Sequence, residues 1–385
     1  MTRPSEYNAI EDVVKLLADD GFDALGEAIR RIINEAMRLE RQNHLGVGPY
    51  ERSEARCGYA NGYKPKTVQT RVGALDLDVP QVRDSSFYPS SLEKGLRSER
   101  ALKVALAEMY VQGVSTRKVA KITEQLCGFE VTSTQVSRAA KELDGVLEQW
   151  RNRPLGAFCY VYLDARYEKV RHNGSVIDVA VLVAIGVAET GKRQILGTSV
   201  ALSEQEAHWR DFLRSLQGRQ LHGVRLFVSD AHEGLKAARK AVFPSIPWQR
   251  CQFHLQQNAQ AYVPKKEMKK GVAAAIRSIF NASDEAEAKR QLDLFIERYE
   301  KSAPRLAAWA EQNIQEGLTI LQFPEDHRRR IRTSNVLERV NKEILRRTRV
   351  ATLFPNEDSC LRLVSAVLME ISEEWETGRT YLSFQ

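Results

Sequence analysis

Residues 225–236, RLFVSDAHEGLK, read as a short buried strand that stops at a carboxylate. Leu226, Phe227 and Val228 form an apolar run, Asp230 follows, and a helical pattern begins at once. Ser229 and Asp230 both suit a helix cap, because a short side-chain oxygen can accept from the free N–H groups of a first turn. The other reading of Asp230 is a metal ligand held where a sheet opens to solvent. A second stretch bears on the choice. YVYLDARY (160–167) also carries a carboxylate, Asp164, directly after an apolar run. Strand side chains alternate faces, and a carboxylate among apolar residues needs a partner. If the two strands are neighbours, Asp164 and Asp230 could share a cation, and Mg²⁺, which takes oxygen ligands, is the natural occupant. Taken singly, each aspartate is equally well a cap or half of a salt bridge.

The flanking pattern is α/β. FCYVYLDARYEKV (158–170), SVIDVAVLVAIGVAE (175–189) and RQILGTSVAL (193–202) read as three strands, the second apolar enough to be buried on both faces. EQEAHWRDFLRSLQGRQL (204–221) is an amphipathic helix, VRLFVSD (224–230) a strand and HEGLKAARKAVF (232–243) a helix. PWQRCQFH (247–254) is short and strand-like. Three strands, helix, strand, helix, strand is an α/β order. Residues 255–322 read as wholly helical. SNVLERVNKEILRRTR (334–349) is a basic helix and SCLRLVSAVLMEISEEWE (359–376) an amphipathic one.

Towards the N-terminus, residues 8–45 read as helical, with Phe22, Leu25, Ile29, Ile32, Ile33, Ala36 and Met37 at helical spacing. GPYERSEARCGYANGYKPK (48–66) is expected to be irregular and exposed. There Tyr59, Tyr63, Arg56 and Lys64 would either meet nucleic acid or anchor a structural loop. TVQTRVGALDLDVPQVR (67–83) alternates around Gly73, the mark of a β-hairpin. Three short helices follow: ERALKVALAEMYVQG (99–113), STRKVAKITEQLCG (115–128) with Ser115 as N-cap, and TSTQVSRAAKELD (132–144) with Thr132 or Ser133 as cap. They suit a helix-turn-helix whose last helix puts Ser133, Thr134, Gln135 and Arg138 against DNA. An ordinary three-helix bundle fits the same pattern.

Composition sets bounds. The 385 residues suffice for two or three domains with cores of their own. No apolar run is long enough to span a bilayer, and the N-terminus lacks a basic-then-apolar secretory layout, so a cytoplasmic protein is expected. Five cysteines, widely spaced and without a C-x-x-C, argue against a disulfide framework or a four-cysteine zinc site. The net charge of +7 is a modest pointer to a polyanionic partner.

A third acid would come from elsewhere in the chain. Glu338 is the leading candidate, with Arg339, Lys342, Arg346, Arg347 and Arg349 around it. Residues 325–349 hold nine Lys or Arg against four Asp or Glu. On spacing alone an i to i+4 pair with Lys342 on a solvated helix is the better reading of Glu338. Cys251 and His254 form a C-x-x-H pair, but a structural zinc site wants four ligands and no second pair is visible. A buried Cys with a hydrogen-bonded His beside the site is the preferred reading, and a nucleophilic Cys251 lacks other support.

YVQGVSTRKVAKITEQLCG (110–128), YLDARYEKVR (162–171), SDAHEGLKAA (229–238), WQRCQFH (248–254) and SNVLERVNKEILRRTR closely resemble the bacterial Mutator-type family of insertion-sequence transposases. The resemblance runs from CGYANGYKPKTVQTRVG (57–73) to WETGRTYLS (375–383). It implies an RNase H-like catalytic core with a mixed five-stranded sheet, interrupted by an all-helical insertion and preceded by a mostly helical DNA-binding region containing the helix-turn-helix. Asp164, Asp230 and Glu338 fall on the positions of the family's DDE triad, as catalytic and metal-holding residues, and Cys251 and His254 on its C-x-x-H signature. The expected parts are 1–98 for DNA binding or dimerisation, 99–150 for the helix-turn-helix, 151–254 for the first part of the core, 255–325 for the insertion and 326–385 for the closing helices. The triad would hold two Mg²⁺ or Mn²⁺ ions, about 3.5–4 Å apart in such sites. Implied partners are double-stranded DNA, as terminal inverted repeats and target, and further copies of the chain in a homodimer or larger assembly. Arg339, Lys342, Arg346, Arg347 and Arg349 are expected on the DNA backbone. A nuclease that joins no strands, and a DNA-binding regulator with an inactive core, are the competing readings.

Overall fold

The computed structural model describes residues 9–49, 51, 53–83, 86–95, 97–349 and 353–384. Residue 8, where the first helix is expected to begin, and Tyr50 and Arg52 of the expected irregular stretch lie outside them. The chain forms two compact units, Met1–Glu142 and Leu143–Gln385.

The first unit contains α1 (Ala9–Asp20), α2 (Leu25–Leu45), β1 (Ala60–Thr70), β2 (Gly73–Val82), α3 (Arg100–Val111), α4 (Thr116–Cys127) and α5 (Ser133–Lys141). The helical stretch at the N-terminus divides at Gly21–Ala24, a 3-10 turn in which Gly21 takes a positive φ of 60°, open to glycine and unfavourable to most residues. Phe22 therefore leaves the apolar stripe and is 88% exposed, while Ile29, Ile33 and Met37 still pack on the hairpin residues Val68, Leu75, Leu77 and Val79. The stretch expected to be irregular joins the sheet from Ala60, so the hairpin is longer than its alternation indicates; a register shift between Ala60 and Tyr63 breaks the period. In the same unit Arg41 lies over the Tyr63 ring and Arg56 over Tyr59. Helices α3–α5 share a core of Leu102, Leu106, Val119, Val131, Val136 and Ala139. Ser115 caps α4, and Thr132 caps α5 in a capping box with Gln135.

The second unit runs α6 (Asp144–Asn152), β3 (Gly156–Ala157), β4 (Tyr160–His172), β5 (Ser175–Val187), β6 (Arg193–Ala201), α7 (Glu206–Gly218), β7 (Leu221–His222), β8 (Leu226–Ser229), α8 (Glu233–Val242) and β9 (Trp248–Arg250). Then come α9 (Gln252–Ala259), α10 (Met268–Phe280), α11 (Glu285–Glu300), α12 (Pro304–Asn313), α13 (Glu325–Ile331), α14 (Asn335–Thr348) and α15 (Glu357–Thr377). The five-stranded sheet has the order β6-β5-β4-β8-β9. β4, β5 and β6 pair antiparallel, and β8 and β9 add to β4 in parallel. The expected strand through Cys251 and His254 stops at Arg250, and both residues belong to the start of a helix. Residues 255–322 are helical as expected, and their core of Leu255, Val272, Ile276, Phe295, Leu306 and Trp309 is separate from that of the sheet.

The pleat of β4 sorts its side chains. Val161, Leu163 and Ala165 turn to the core built with Trp209, Leu213 and Leu216 of α7 and with Leu235 and Ala238 of α8. The alternate residues meet α13 and α14 in sequence. Tyr160 bonds His327, Tyr162 donates to the Arg330 carbonyl, Asp164 accepts from Asn341, Arg166 donates to the Asn341 carbonyl, and Thr348 donates to Glu168. One face of this strand is thus apolar, and the other is a ladder of polar contacts to the C-terminal helices.

Candidate active site

The last paired residues of β4 and β8 are Leu163 and Ser229. Asp164 and Asp230 come next on two adjacent parallel strands, where equivalent residues share a face. Asp164 lies midway along its strand, and Asp230 falls where β8 ends. Ala231 N–H donates to Asp230 Oδ1 at 2.7 Å. Burial pushes the Asp164 carboxyl up to about 6; the Ala165 N–H, His254 and Asn341 pull the other way, and Asp230 adds to the rise. A desolvated carboxylate beside a second one is under electrostatic stress that a cation relieves.

The C-x-x-H pair meets because it spans one turn. Cys251 is the N-cap residue of α9 and His254 sits on its first turn. The Cys251 sulfur is fully buried and accepts from the Ser334 N–H at 3.4 Å and the Ser334 hydroxyl at 3.3 Å. Burial alone would raise this thiol, but hydrogen bonds from His254 and Ser334 hold it below its ordinary value. Contact with the Cys251 sulfur raises His254 to about 9, against burial and helped by Asp230 and Asp164. His254 Nδ1 stands 4.0 Å from Asp230 Oδ1 and makes no close hydrogen bond. A positive imidazole is thereby held between a sulfur and two carboxylates.

Glu338 lies on the first turn of α14, behind Ser334 as N-cap. Its Oε1 is buried and unpartnered. No ion pair joins it to Lys342 among the described residues, so the i to i+4 reading does not account for it. Asn341, one turn further on, donates to Asp164 Oδ2 at 2.8 Å while its own carbonyl accepts from Arg166. These two bonds set α14 on β4. Among the described residues no three His, Cys, Asp or Glu side chains are grouped closely enough to hold a metal ion. The structure brings Asp164, Asp230 and the C-x-x-H pair to one strand end and lays the Glu338 helix beside them, without closing the three carboxylates on one point.

Asn341 and Ser334 do not stand out in the sequence. A signal exists for Asn341, since three residues after Glu338 is the same helical face. The basic residues separate into two kinds. Arg339, Lys342, Arg346 and Arg349 are exposed, Arg346 being paired with Glu343. Arg347 is 5% exposed and bonds Glu343 and Glu370, so it ties α14 to α15. In the first unit Ser133, Thr134 and Arg138 are exposed on α5. Gln135 is half-buried, accepts from the Thr132 N–H and donates to Gln69.

Fold and site together describe an α/β protein with an acidic centre beside a basic helix. Comparison with known proteins agrees with the resemblance seen in the sequence. The model of the Mutator family of transposases matches residues 1–378. The transposase for insertion sequence element IS406 of Burkholderia multivorans is 56% identical over 381 residues, covering 98% of either chain. The transposase for ISRM5 of Rhizobium meliloti is 43% identical, over 94% of this chain and 91% of its own. The transposase for IS256 in transposon Tn4001 of Staphylococcus aureus is 35% identical, over 98% and 95%. The chain belongs to the Mutator family of transposases. Among solved structures, a simian T-cell lymphotropic virus intasome in complex with a PP2A regulatory subunit matches with a TM-score of 0.18 and 10% identity, over 57% of this chain and 75% of that one; so poor a superposition bears on neither fold nor function. Among the described residues no helix is long and apolar enough to cross a membrane.

Proposed function

We propose that this transposase binds the terminal inverted repeats of its element and cleaves and joins DNA strands at an RNase H-like centre formed by Asp164, Asp230 and Glu338. The observation that carries the reading is the placement of Asp164 and Asp230 one step beyond the last pair of two adjacent parallel strands, with α14 bonded to Asp164 through Asn341. The strand order, with the first strand central and the fourth beside it, supports the RNase H-like assignment. The donors fit hard divalent cations such as Mg²⁺ or Mn²⁺: all three are carboxylates, Asp164 is desolvated, and Glu338 Oε1 is buried without a partner. Two bound ions would supply activation of the attacking oxygen and charge stabilisation at the leaving one.

The chain's own groups do the rest. Asn341 fixes the rotamer of Asp164. Cys251 holds His254 and the start of α14 in place. His254 keeps its proton at neutral pH and presents a positive edge to a phosphate next to Asp230. Arg339 and Lys342 follow the backbone, and α4–α5 act as a helix-turn-helix in which Ser133, Thr134 and Arg138 face DNA, with Gln135 setting the helix start. The assignment of residues 1–98 and 99–150 to DNA binding or dimerisation, 151–254 and 326–385 to the core, and 255–325 to the insertion belongs to the same proposal. So does an assembly of two or more copies, which pairing two element ends requires.

The test is cleavage of a labelled element end in Mg²⁺ by Asp164→Ala, Asp230→Ala and Glu338→Ala. Each is expected to abolish cleavage while end binding in a gel shift persists. Surviving cleavage in one variant removes that residue from the centre. Cleavage without joining in a strand-transfer assay would leave a nuclease.

A further inference from the structure

At the free edge of the sheet, away from the carboxylates, a cleft of about 350 Å³ opens between β6, α7 and α15. Its walls are cationic. Arg219 donates to the carbonyls of Arg151 and Leu196, and Arg151 donates to the Ser365 hydroxyl at 3.0 Å. Behind them Arg153 donates to the Ile195 carbonyl. Ile195 and Leu196 sit at the register shift between β5 and β6, so Arg153 and Arg219 staple a bulge. Gly197 makes room, since a Cβ there would come within 2.8 Å of the Arg219 guanidinium.

Carbonyls satisfy donors but bring no counter-charge; Glu148 and Asp144 act on Arg151 through space and Glu376 on Arg153, while among the described residues no carboxylate acts on Arg219. No ion pair to a carboxylate is made by Arg151, Arg153 or Arg219 among the described residues. Burial accordingly lowers Arg219 to about 10, with Arg153 adding to it. Asp211 also lines the cleft, but it is exposed. An independent sign comes from Thr198. It is 7% exposed, lines the cleft, and its hydroxyl is buried with no partner. An orphaned hydroxyl in a cleft lined by guanidinium groups that form no ion pair is a place for an anionic acceptor.

We propose that this cleft is a phosphate-group site, distinct from the acidic centre, with Arg151 and Thr198 as the groups that contact the ligand. Thr198 pairs with Val183, and Val183 with Asp164, so two strand spacings, about 10 Å, separate the two sites across the sheet. The phosphate is either a diester of bound DNA or a free inorganic anion; the DNA source rests on the function proposed above.

The test uses the full chain, as wild type, Arg151→Gln and Thr198→Val, with Arg219 left to staple the bulge. Inorganic phosphate is expected to raise the melting temperature of the wild type and of neither variant. Duplex DNA binding, measured by anisotropy across a KCl series without divalent cations, is expected to weaken roughly three- to tenfold in Arg151→Gln, with the salt slope reduced by about one. Thr198→Val is expected to weaken binding about twofold with the slope unchanged. Phosphate that stabilises all three proteins equally overturns the site, and Thr198→Val decides the matter even if Arg151→Gln folds poorly. Phosphate stabilisation confined to the wild type, with identical DNA slopes, assigns the site to a free anion. A wild type that binds phosphate in the cleft but no DNA fails the proposed function and leaves the cleft standing.

Discussion

Helices α5 and α14 begin in opposite ways. At α5 the capping groups serve the helix, and among them only the Gln135 amide nitrogen reaches outside it, to Gln69. The Thr132 oxygen accepts from the Gln135 N–H, and the Gln135 side chain accepts from the Thr132 N–H. At α14 the N-cap Ser334 makes no side-chain cap, and its N–H and hydroxyl both go to the Cys251 sulfur. One turn later Glu338 leaves a buried oxygen unpartnered, and Asn341 serves Asp164. A helix start that satisfies itself is built for stability. One that gives its donors to another segment is built to hold a position, and the unmet groups mark where a ligand belongs.

The comparison breaks first at Asn341. If it positions Asp164, Asn341→Ala should lower cleavage roughly 10- to 100-fold, the usual cost of removing an outer-shell partner of a metal-holding group. Half-saturation in Mg²⁺ should rise with it, which a merely structural loss would not cause. A variant with wild-type Mg²⁺ dependence would reduce Asn341 to a packing contact. Asn341→Asp, which keeps the shape but cannot donate when ionised, should do no better than alanine.

The stress on Asp164 gives the next effect. Its carboxyl is held at about 6, against an ordinary 3.8. Below pH 4 folded and unfolded forms are both protonated. Between pH 4 and 6 the folded form keeps a proton that the unfolded form has lost, so stability falls as pH rises. Above pH 6 the full loss of about 3 kcal/mol applies. Asp164→Asn cannot titrate and still accepts from Asn341. In metal-free buffer it should melt several degrees above the wild type at pH 7.5 and close to it at pH 4. Equal melting at both pH values would mean that Asp164 is not desolvated. Added Mg²⁺ should narrow the gap at pH 7.5, since cations stabilise the form that binds them.

How far the sequence can be read follows the same division. The strands are legible because apolar runs around Tyr160–Leu163 and Leu226–Val228 are short, β-rich and bounded by polar residues. Their adjacency is not, because no local pattern states which strands pair. The start of α9 reads as strand because PWQRCQFH has no helical period, and the residue before the helix, Cys251, is held by Ser334, 83 positions away. The break at Gly21 is hidden because the apolar spacing on either side continues through it. Arg347 reads like its basic neighbours, and its burial depends on Glu370 of α15, which spacing within one helix does not disclose. Asn341 carries its role through a strand 177 residues earlier in the chain.

The smallest effect sharpens the comparison most. Thr132→Ala removes a real cap, so it should cost about 1 kcal/mol of stability in urea unfolding and leave cleavage by the acidic centre unchanged on a preformed protein–DNA complex. Ser334→Ala removes no cap, so the helix itself should lose little. It does remove a hydroxyl donor from the Cys251 sulfur, and the start of α14, one turn before Glu338, then loses one of its two bonds to Cys251. Cleavage should fall severalfold while the unfolding midpoint stays above that of Thr132→Ala. The two substitutions delete the same kind of atom at the same helical position, so composition and propensity cannot explain opposite outcomes. If Ser334→Ala instead lost stability as Thr132→Ala does and kept its cleavage rate, the start of α14 would be an ordinary helix end, and the case for Glu338 would rest on its buried oxygen alone.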